Sequence, residues 1–277
     1  MLKSYFFIPA TRKKFIDKMP EIDADEFVFD MEDAIAENEI ESAFENLESF
    51  EGVENYIVRP RLFSSSGKLK NKNLERLIDL GFRRFYIPKA ETKQMLDELL
   101  NIFNYYDIDG LEWYYLVESA SALMHVKDMA LSGKYPFKGL CLGAQDYAAK
   151  VGMTYSLENI SWARHYLLNV AKACNIEAID MASMVLKDRN LFEKECHQGF
   201  QMGYDSKIIV HPAQLEILKN VEYYSEEEIN HARTISEKVD LEKLKDFSIV
   251  TIDGLIYERP HIARIKKILE YLNRKNE

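Results

Sequence analysis

Cysteine is scarce: Cys141, Cys174 and Cys196 are the only three in 277 residues, and they show no metal-ligand spacing. The odd count suits a reducing compartment better than a disulfide framework. Glycine (11) and proline (7) are also few, and no Ser/Gly-rich or Pro-rich linker offers a place to divide the chain. Positive charge is in deficit. A net charge of −10 and a pI near 5.3 argue against broad nucleic-acid binding, because a phosphate backbone demands a basic face. Long hydrophobic runs are missing too. The apolar stretch from Tyr5 to Ala10 is too short for a signal sequence or a membrane span. No Gly-x-Ser-x-Gly elbow, HExxH or CxxC occurs. The expectation is a soluble cytoplasmic protein with no nucleic acid and no membrane among its partners. Anionic small molecules stay open wherever basic residues gather locally.

What is present is a 47% hydrophobic composition, enough for a sizeable core. Short β-rich runs alternate with amphipathic segments. The strand candidates are residues 5–8, 27–30, 56–59, 84–87, 113–117, 138–142, 178–180 and 208–210. Between them, Leu74, Leu77 and Ile78 recur three and four apart, and residues 95–103 repeat the helical pattern. Strand–helix alternation implies parallel pairing through right-handed crossovers. Eight units predict a TIM (β/α)8 barrel, although a doubly wound sheet shows the same alternation. The barrel is expected over residues 1–224. Residues 225–277 are expected as a C-terminal helical extension: a helix over 226–239, a hairpin around Asp253-Gly254 and a last helix from Pro260. Such an arm could contact a neighbouring subunit.

The residues that follow the apolar runs are polar and ionisable. Run 2 ends at Asp30, with Glu32 and Asp33. Run 3 ends at Arg59, with Arg61, and run 4 leads into Lys89 and Glu91. Run 5 ends at Glu118, run 6 leads through Gly143 to Asp146, run 7 ends at Asp180 and run 8 at His211. In a parallel barrel the C-terminal strand ends share one mouth, where active sites of this fold sit. Glu118 and Asp146, on adjacent strand ends, could share one hard divalent cation such as Mg2+, which takes one or two carboxylates. Each could instead cap the helix that follows. Arg59 suits a bidentate grip on a carboxylate, or ion pairs with Asp30, Glu32 or Asp33. Lys89 is a Schiff-base candidate, against the commoner reading of an ion-pair partner. His211 suits ligand contact or proton transfer, or a structural hydrogen bond. The segment Ser64-Ser65-Ser66-Gly67-Lys68 could receive a phosphate, but it lacks the P-loop pattern, which favours an ordinary solvated loop.

The segments SYFFIPATRKKF, EFVFDMEDAIAENE, YIVRPR, FYIPKAE, LVESASAL, GLCLGAQDYAAKVG, SWARHYLLNVAKACNIEAID, MGYDSKIIVHPAQL and DGLIYERPHI occur in this order. In these blocks the chain resembles the HpcH/HpaI aldolase and citrate lyase β-subunit family, in its CitE-like branch, over nearly its whole length. The resemblance implies a Mg2+-dependent TIM barrel that assembles as trimers or hexamers. It implies a carbon–carbon lyase that handles a 3-hydroxy-acyl-CoA or hydroxy acid. The products are a 2-oxo acid (oxaloacetate, pyruvate or glyoxylate) and an acetyl-type enolate. Glu118 and Asp146 match the metal ligands, and Arg59 matches the arginine that binds the substrate's carboxylate and carbonyl oxygen. Asp30, Glu32 and Asp33 match a block expected to orient Arg59 and metal-bound water. Lys89, Asp180 and His211 are expected around the substrate. Glu258 aligns with an acidic residue that, in some relatives, enters a neighbouring subunit's site and moves a proton.

Departures from the family pattern accompany the resemblance. Ala10 and Ala122 replace usual glycines, the second at a turn where backbone is expected near the ligand. Arg61 replaces a common asparagine and is expected to add a cation at the mouth, favouring a more anionic substrate. Glu for Asp at position 258 shifts the carboxylate by about one methylene, and a misplacement near 1 Å costs on the order of 10²-fold in rate. Two other readings follow: a CoA-independent pyruvate aldolase, and a non-catalytic ligand-binding homologue.

Overall fold

The structure is a computed structural model that describes residues 1–64, 67–241 and 249–275. Eight strands close into a parallel barrel in sequence order: β1 (Lys3–Pro9), β2 (Glu26–Asp30), β3 (Ile57–Arg59), β4 (Arg84–Ile87), β5 (Glu112–Val117), β6 (Phe137–Leu142), β7 (Glu177–Asp180) and β8 (Ser206–Ile209). The ring is sealed by β1 against β8, with Tyr5 opposite Ile208. A doubly wound sheet would leave two open edges, and here the edges pair. The helices of this unit are α1 (Lys13–Ile16), α2 (Ile40–Glu48), α3 (Asn71–Asp79), α4 (Lys93–Tyr105), α5 (Ala120–Leu131), α6 (Ala144–Val151), α7 (Ser161–Ala173), α8 (Arg189–Met202) and α9 (Pro212–Asn220).

The strands are rich in aromatic and β-branched residues, which favour a pleated surface. Side chains alternate across a strand, so every second residue faces the barrel interior. Tyr5, Phe7, Val28, Ile57, Tyr86, Tyr114, Leu116, Cys141, Ile179 and Ile208 form one buried cluster. Every strand contributes to it, and only the interior lets all eight meet. This core is unusually aromatic. Tyr86 and Tyr114 stack with centroids 5.7 Å apart, and Tyr5 and Phe7 meet Tyr86 edge-on. At the N-terminal end, Arg84 bonds Glu26 at 2.7 and 2.9 Å, Glu112 at 3.1 Å and the Tyr114 hydroxyl at 2.9 Å. Paired charges therefore close the barrel floor, the end that supports stability in this fold.

Alternation also decides what reaches the other end. Two residues beyond inward-facing Val28, Ile57 and Leu116 come Asp30, Arg59 and Glu118, which therefore turn to the axis at the C-terminal mouth.

The chain divides into two compact units, Leu2–Val221 and a smaller one comprising Met1 and Glu222–Glu277. In the smaller unit, α10 (Glu226–Lys238) starts on a capping box of Ser225 and Glu228. Strands β9 (Ile249–Ile252) and β10 (Leu255–Glu258) pair antiparallel. Asp253 and Gly254 turn between them, both at positive φ (50° and 78°), the backbone of a two-residue type I′ hairpin. Helix α11 (Arg259–Lys275) returns against α10, where Arg264 meets Glu228 at 2.6 Å. Among the described residues, no helix is long and apolar enough to cross a membrane.

Candidate active site

The β2 and β3 ends supply the first half of the site. Asp30 and Arg59 are paired in register, and the guanidinium grips Asp30 in a fork: Nε to Oδ1 at 2.7 Å and Nη2 to Oδ2 at 2.5 Å. The third nitrogen, Nη1, faces Asp33 at 3.3 Å and Glu32 at 3.5 Å. Burial opposes the charge of Arg59, but Asp30, Glu32 and Asp33 outweigh it and hold the guanidinium firmly protonated. Arg59 is thus fixed by one acid and turned toward two more. Burial pushes the Glu32 carboxyl up to about 8, against the pull of Arg59 and Lys89. Burial also opposes ionisation of Asp33, yet Arg59, a hydrogen bond with Glu32 and Lys89 together hold its carboxyl low. Glu32 Oε2 is buried without a hydrogen-bond partner, an unusual state for a carboxylate oxygen.

The second half comes from β5, β6 and the turn after β4. Glu118 does not cap α5, because the Ser119 hydroxyl accepts the Ala122 N–H at 3.1 Å. Asp146, in the first turn of α6, makes no cap bond there. Both carboxylates are therefore left for the mouth. Oxygens of Asp33, Glu118 and Asp146 all lie within 4.8 Å of one another. An all-carboxylate donor set suits a hard divalent cation such as Mg2+ better than a soft metal. Glu32 Oε2, buried beside this set with no hydrogen bond of its own, adds another carboxylate oxygen to the cluster. The residues present therefore fit the group. Gly143 makes room for it: a β-carbon there would stand 2.4 Å from Glu118 Cγ. Burial raises the Glu118 carboxyl to about 6 even though Lys89 opposes the rise.

Lys89 sits in the left-handed backbone region, φ 56°, rare for a residue with a β-carbon. Its N–H donates to Glu118 Oε2 at 2.7 Å, and its ammonium donates to Asp146 at 2.7 Å and Glu118 at 3.3 Å. Burial opposes that charge, but Glu118, Asp146, Glu32 and Asp33 hold it well above the ordinary lysine range. An amine kept protonated is no nucleophile, which disfavours the Schiff-base reading. A cavity of about 540 Å³ opens beside Glu32, Asp33 and Lys89, with Phe63, Met95 and Lys150 further out. A larger groove of about 660 Å³ lies away from these acids, between the starts of α2 and α3, where Lys70 pairs with Glu37.

Other expectations fall elsewhere. Asp180 is one residue, not two, beyond inward-facing Ile179, so it turns outward into the helical layer. It is fully buried, bonded to Arg164 of α7 at 2.9 and 3.1 Å and to Lys207 at 3.3 Å. Gly199 of α8 packs on it so closely that a β-carbon would stand 2.6 Å from its Oδ2. Asp180 is not at the mouth. His211 caps α9, its Nδ1 accepting the Ala213 N–H at 3.1 Å. Arg61 lines the cavity beside Glu32, Asp33 and Lys89 and keeps its charge there, while its Nη2 donates to the carbonyls of Glu32 (2.7 Å) and Ile35 (2.6 Å) and staples the loop after β2. Ala122 lies in the first turn of α5, just after Glu118, with its side chain buried. Ser65 and Ser66 of the phosphate-loop reading lie outside the described residues; Lys68 N–H donates to Ser64 Oγ at 3.1 Å. Glu258 ends β10 of the smaller unit, exposed, with its N–H donating to His261 Nδ1 at 3.1 Å. Asp33 was expected only to orient its neighbours and instead joins Glu118 and Asp146. Its placement in the loop three residues past an inward Asp30 was the available signal.

A family model described as HpcH/HpaI aldolase/citrate lyase matches residues 3–212. The citrate lyase subunit beta of Leuconostoc mesenteroides subsp. cremoris is 24% identical over 284 residues, covering 98% of this chain and 93% of that protein. A (3S)-malyl-CoA thioesterase of Cereibacter sphaeroides is 25% identical over 272 residues, covering 96% and 93%. Among solved structures, CitE from Mycobacterium tuberculosis in complex with magnesium, acetoacetate and coenzyme A superposes with a TM-score of 0.81 at 21% identity, covering 100% of this chain and 98% of that one. The M. tuberculosis citrate lyase beta subunit complexed with oxaloacetate and magnesium gives 0.68 at 23% identity, covering 81% and 97%. At these identities the structural likeness speaks for the fold.

Proposed function

The chain belongs to the HpcH/HpaI aldolase/citrate lyase family, and from that premise we propose that it is a Mg2+-dependent carbon–carbon lyase. It cleaves or forms a 3-hydroxy-acyl-CoA or hydroxy acid, with a 2-oxo acid such as oxaloacetate, pyruvate or glyoxylate as one product. The observation that carries this reading is the meeting of Asp33, Glu118 and Asp146 oxygens beside Arg59 at the barrel mouth. Glu118 and Asp146 are the proposed metal ligands, with Asp33 as a third. When bound, the divalent ion supplies Lewis acidity toward the oxygens of the oxo acid. Arg59 directs Nη1, the nitrogen not committed to Asp30, at the same oxygens and stabilises negative charge that develops there. Asp30 fixes that guanidinium in one plane, so little reorganisation is needed during reaction.

In the cleavage direction the substrate hydroxyl loses its proton as the carbon–carbon bond breaks. The bond electrons pass to the α-carbon of the departing acyl fragment, which is then protonated. Glu258, exposed at the end of β10, is the proposed general acid/base, presented to a neighbouring subunit in a homo-oligomer. The assembly is proposed as a trimer or hexamer, and the cytoplasm as its compartment.

The test is to incubate the protein with citryl-CoA, malyl-CoA and citramalyl-CoA, with Mg2+ or with EDTA, and to follow oxo acid and acyl-CoA together. Equal amounts of both, formed only with Mg2+, are expected. No oxo acid from any substrate would overturn the reading. The thioesterase relatives favour a second reading, hydrolysis of the thioester, which would release free thiol and a hydroxy acid instead. Cleavage of a free hydroxy acid to pyruvate with no response to CoA esters would point to the CoA-independent aldolase.

A further inference from the structure

The Lys89 ammonium lies among the carboxylates proposed to hold the metal. Its Nζ is 2.7 Å from Asp146 Oδ2, 3.3 Å from Glu118 Oε1, 3.7 Å from Asp33 Oδ1 and 3.8 Å from Glu32 Oε1. Asp33, Glu118 and Asp146 are the same three residues whose oxygens converge within 4.8 Å. The lysine is built to reach this place. Its backbone is held at a strained positive φ, and its N–H binds the very carboxylate its side chain reaches. Any residue could supply that N–H, and glycine would adopt the backbone without strain. What lysine adds is a positive charge on a long, flexible stem.

We propose that Lys89 is a tethered counter-cation that occupies the carboxylate centre of the metal-free protein and is displaced when a divalent ion enters. Metal loading is then an exchange of cations, not the filling of an empty acidic cage. Without metal the ammonium screens carboxylates that would otherwise repel each other across the mouth. With metal it withdraws into the adjacent cavity of about 540 Å³, which Lys89 itself lines, while its N–H keeps Glu118 in place. The lysine thereby sets how much free metal is needed before the site fills. This inference rests on the metal-site reading above.

The test measures Mn2+ binding directly, by the electron paramagnetic resonance of the free ion, to wild type and to Lys89→Met. The variant is expected to bind Mn2+ about tenfold more tightly, the scale of one nearby charge. Its EDTA-treated form should melt below wild type, and the gap should close at saturating Mn2+. Equal or weaker binding by the variant, with wild type binding normally, overturns the inference and leaves the metal site standing. No binding by either protein overturns the metal reading and the inference together. Binding by the variant alone overturns the exchange, because the ion then fails to displace the lysine, and overturns metal dependence of the wild type with it. A second measurement needs no variant. Reductive methylation of wild type, mapped by mass spectrometry, should label Lys89 several-fold faster with saturating Mn2+ than with EDTA; an unchanged rate overturns the displacement.

Discussion

Two charge clusters sit on this barrel, and they are built oppositely. At the mouth, Asp30, Glu32, Asp33, Glu118 and Asp146 form their ion pairs, among the described residues, with Arg59 and Lys89. Outside β7 and β8, the single carboxylate of Asp180 meets both Arg164 and Lys207, and all three side chains are almost wholly buried. The mouth has more acids than cations; Asp180 has two cations to itself. Burying a charge is tolerable only when partners replace its water, so the saturated cluster reads as structure. An acid surplus held rigidly at an open end reads as a place for a cation that the protein does not encode. The partition follows from one residue of strand parity: Asp30 and Glu118 stand two beyond an inward residue, and Asp180 stands one beyond.

The contrast can be broken at four points. Asp180→Ala strands Arg164 and Lys207 without a counter-charge and should destabilise the fold by about 3–5 kcal/mol in urea melts. A loss of turnover with an unchanged melt would place Asp180 back at the mouth. Asp146→Asn should do the opposite, lowering Mg2+-dependent turnover by roughly 10²–10³-fold while leaving the melting temperature of the metal-free protein unchanged or raised. Arg61→Ala removes two bonds from a guanidinium to main-chain carbonyls and should lower stability by about 2 kcal/mol. Its preference among mono- and dicarboxylic oxo acids should not move. A change in preference would restore Arg61 as an anion-binding residue.

The smallest effect concerns pH. The Glu32 carboxyl titrates near 8 when folded, above its ordinary value of 4.5, because burial favours the neutral form. The folded state therefore holds this proton more tightly than the unfolded state. The resulting stability is complete below the ordinary value and is lost as pH rises through about 8. Glu32→Gln lacks that loss, and should melt roughly 2–4 °C above wild type at alkaline pH while matching it in acid. Parallel melting curves across that range would remove Glu32 from the surplus.

Much of this was legible in the residues. Eight apolar runs with helical spacers specified the barrel, and each begins or ends within two residues of the observed strand. The convergence of Asp30, Arg59, Glu118 and Asp146 followed from the polar residue after each run. What stayed hidden was direction. The run at residues 178–180 is too short to display its own alternation, so nothing marked Asp180 as outward-facing. Arg164 and Lys207, its partners, lie on a helix and in mid-strand, where charge usually signals solvent. Arg61 could not be separated from Arg59, because its carbonyl acceptors are created only when the loop after β2 folds back. Lys89 belonged to the rim by position, but its place at the centre depends on a left-handed backbone that few sequences announce.

Gly143 gives the acid surplus a hidden point of failure. It coordinates nothing and bears no charge, yet its missing methyl group is the space in which Glu118 lies. An alanine there would leave every charged group of the mouth in the sequence while forcing one carboxylate off its mark. A search for defective relatives that inspects only the acids would pass such a chain as intact, and a one-carbon change at a silent neighbour would be enough to retire the site.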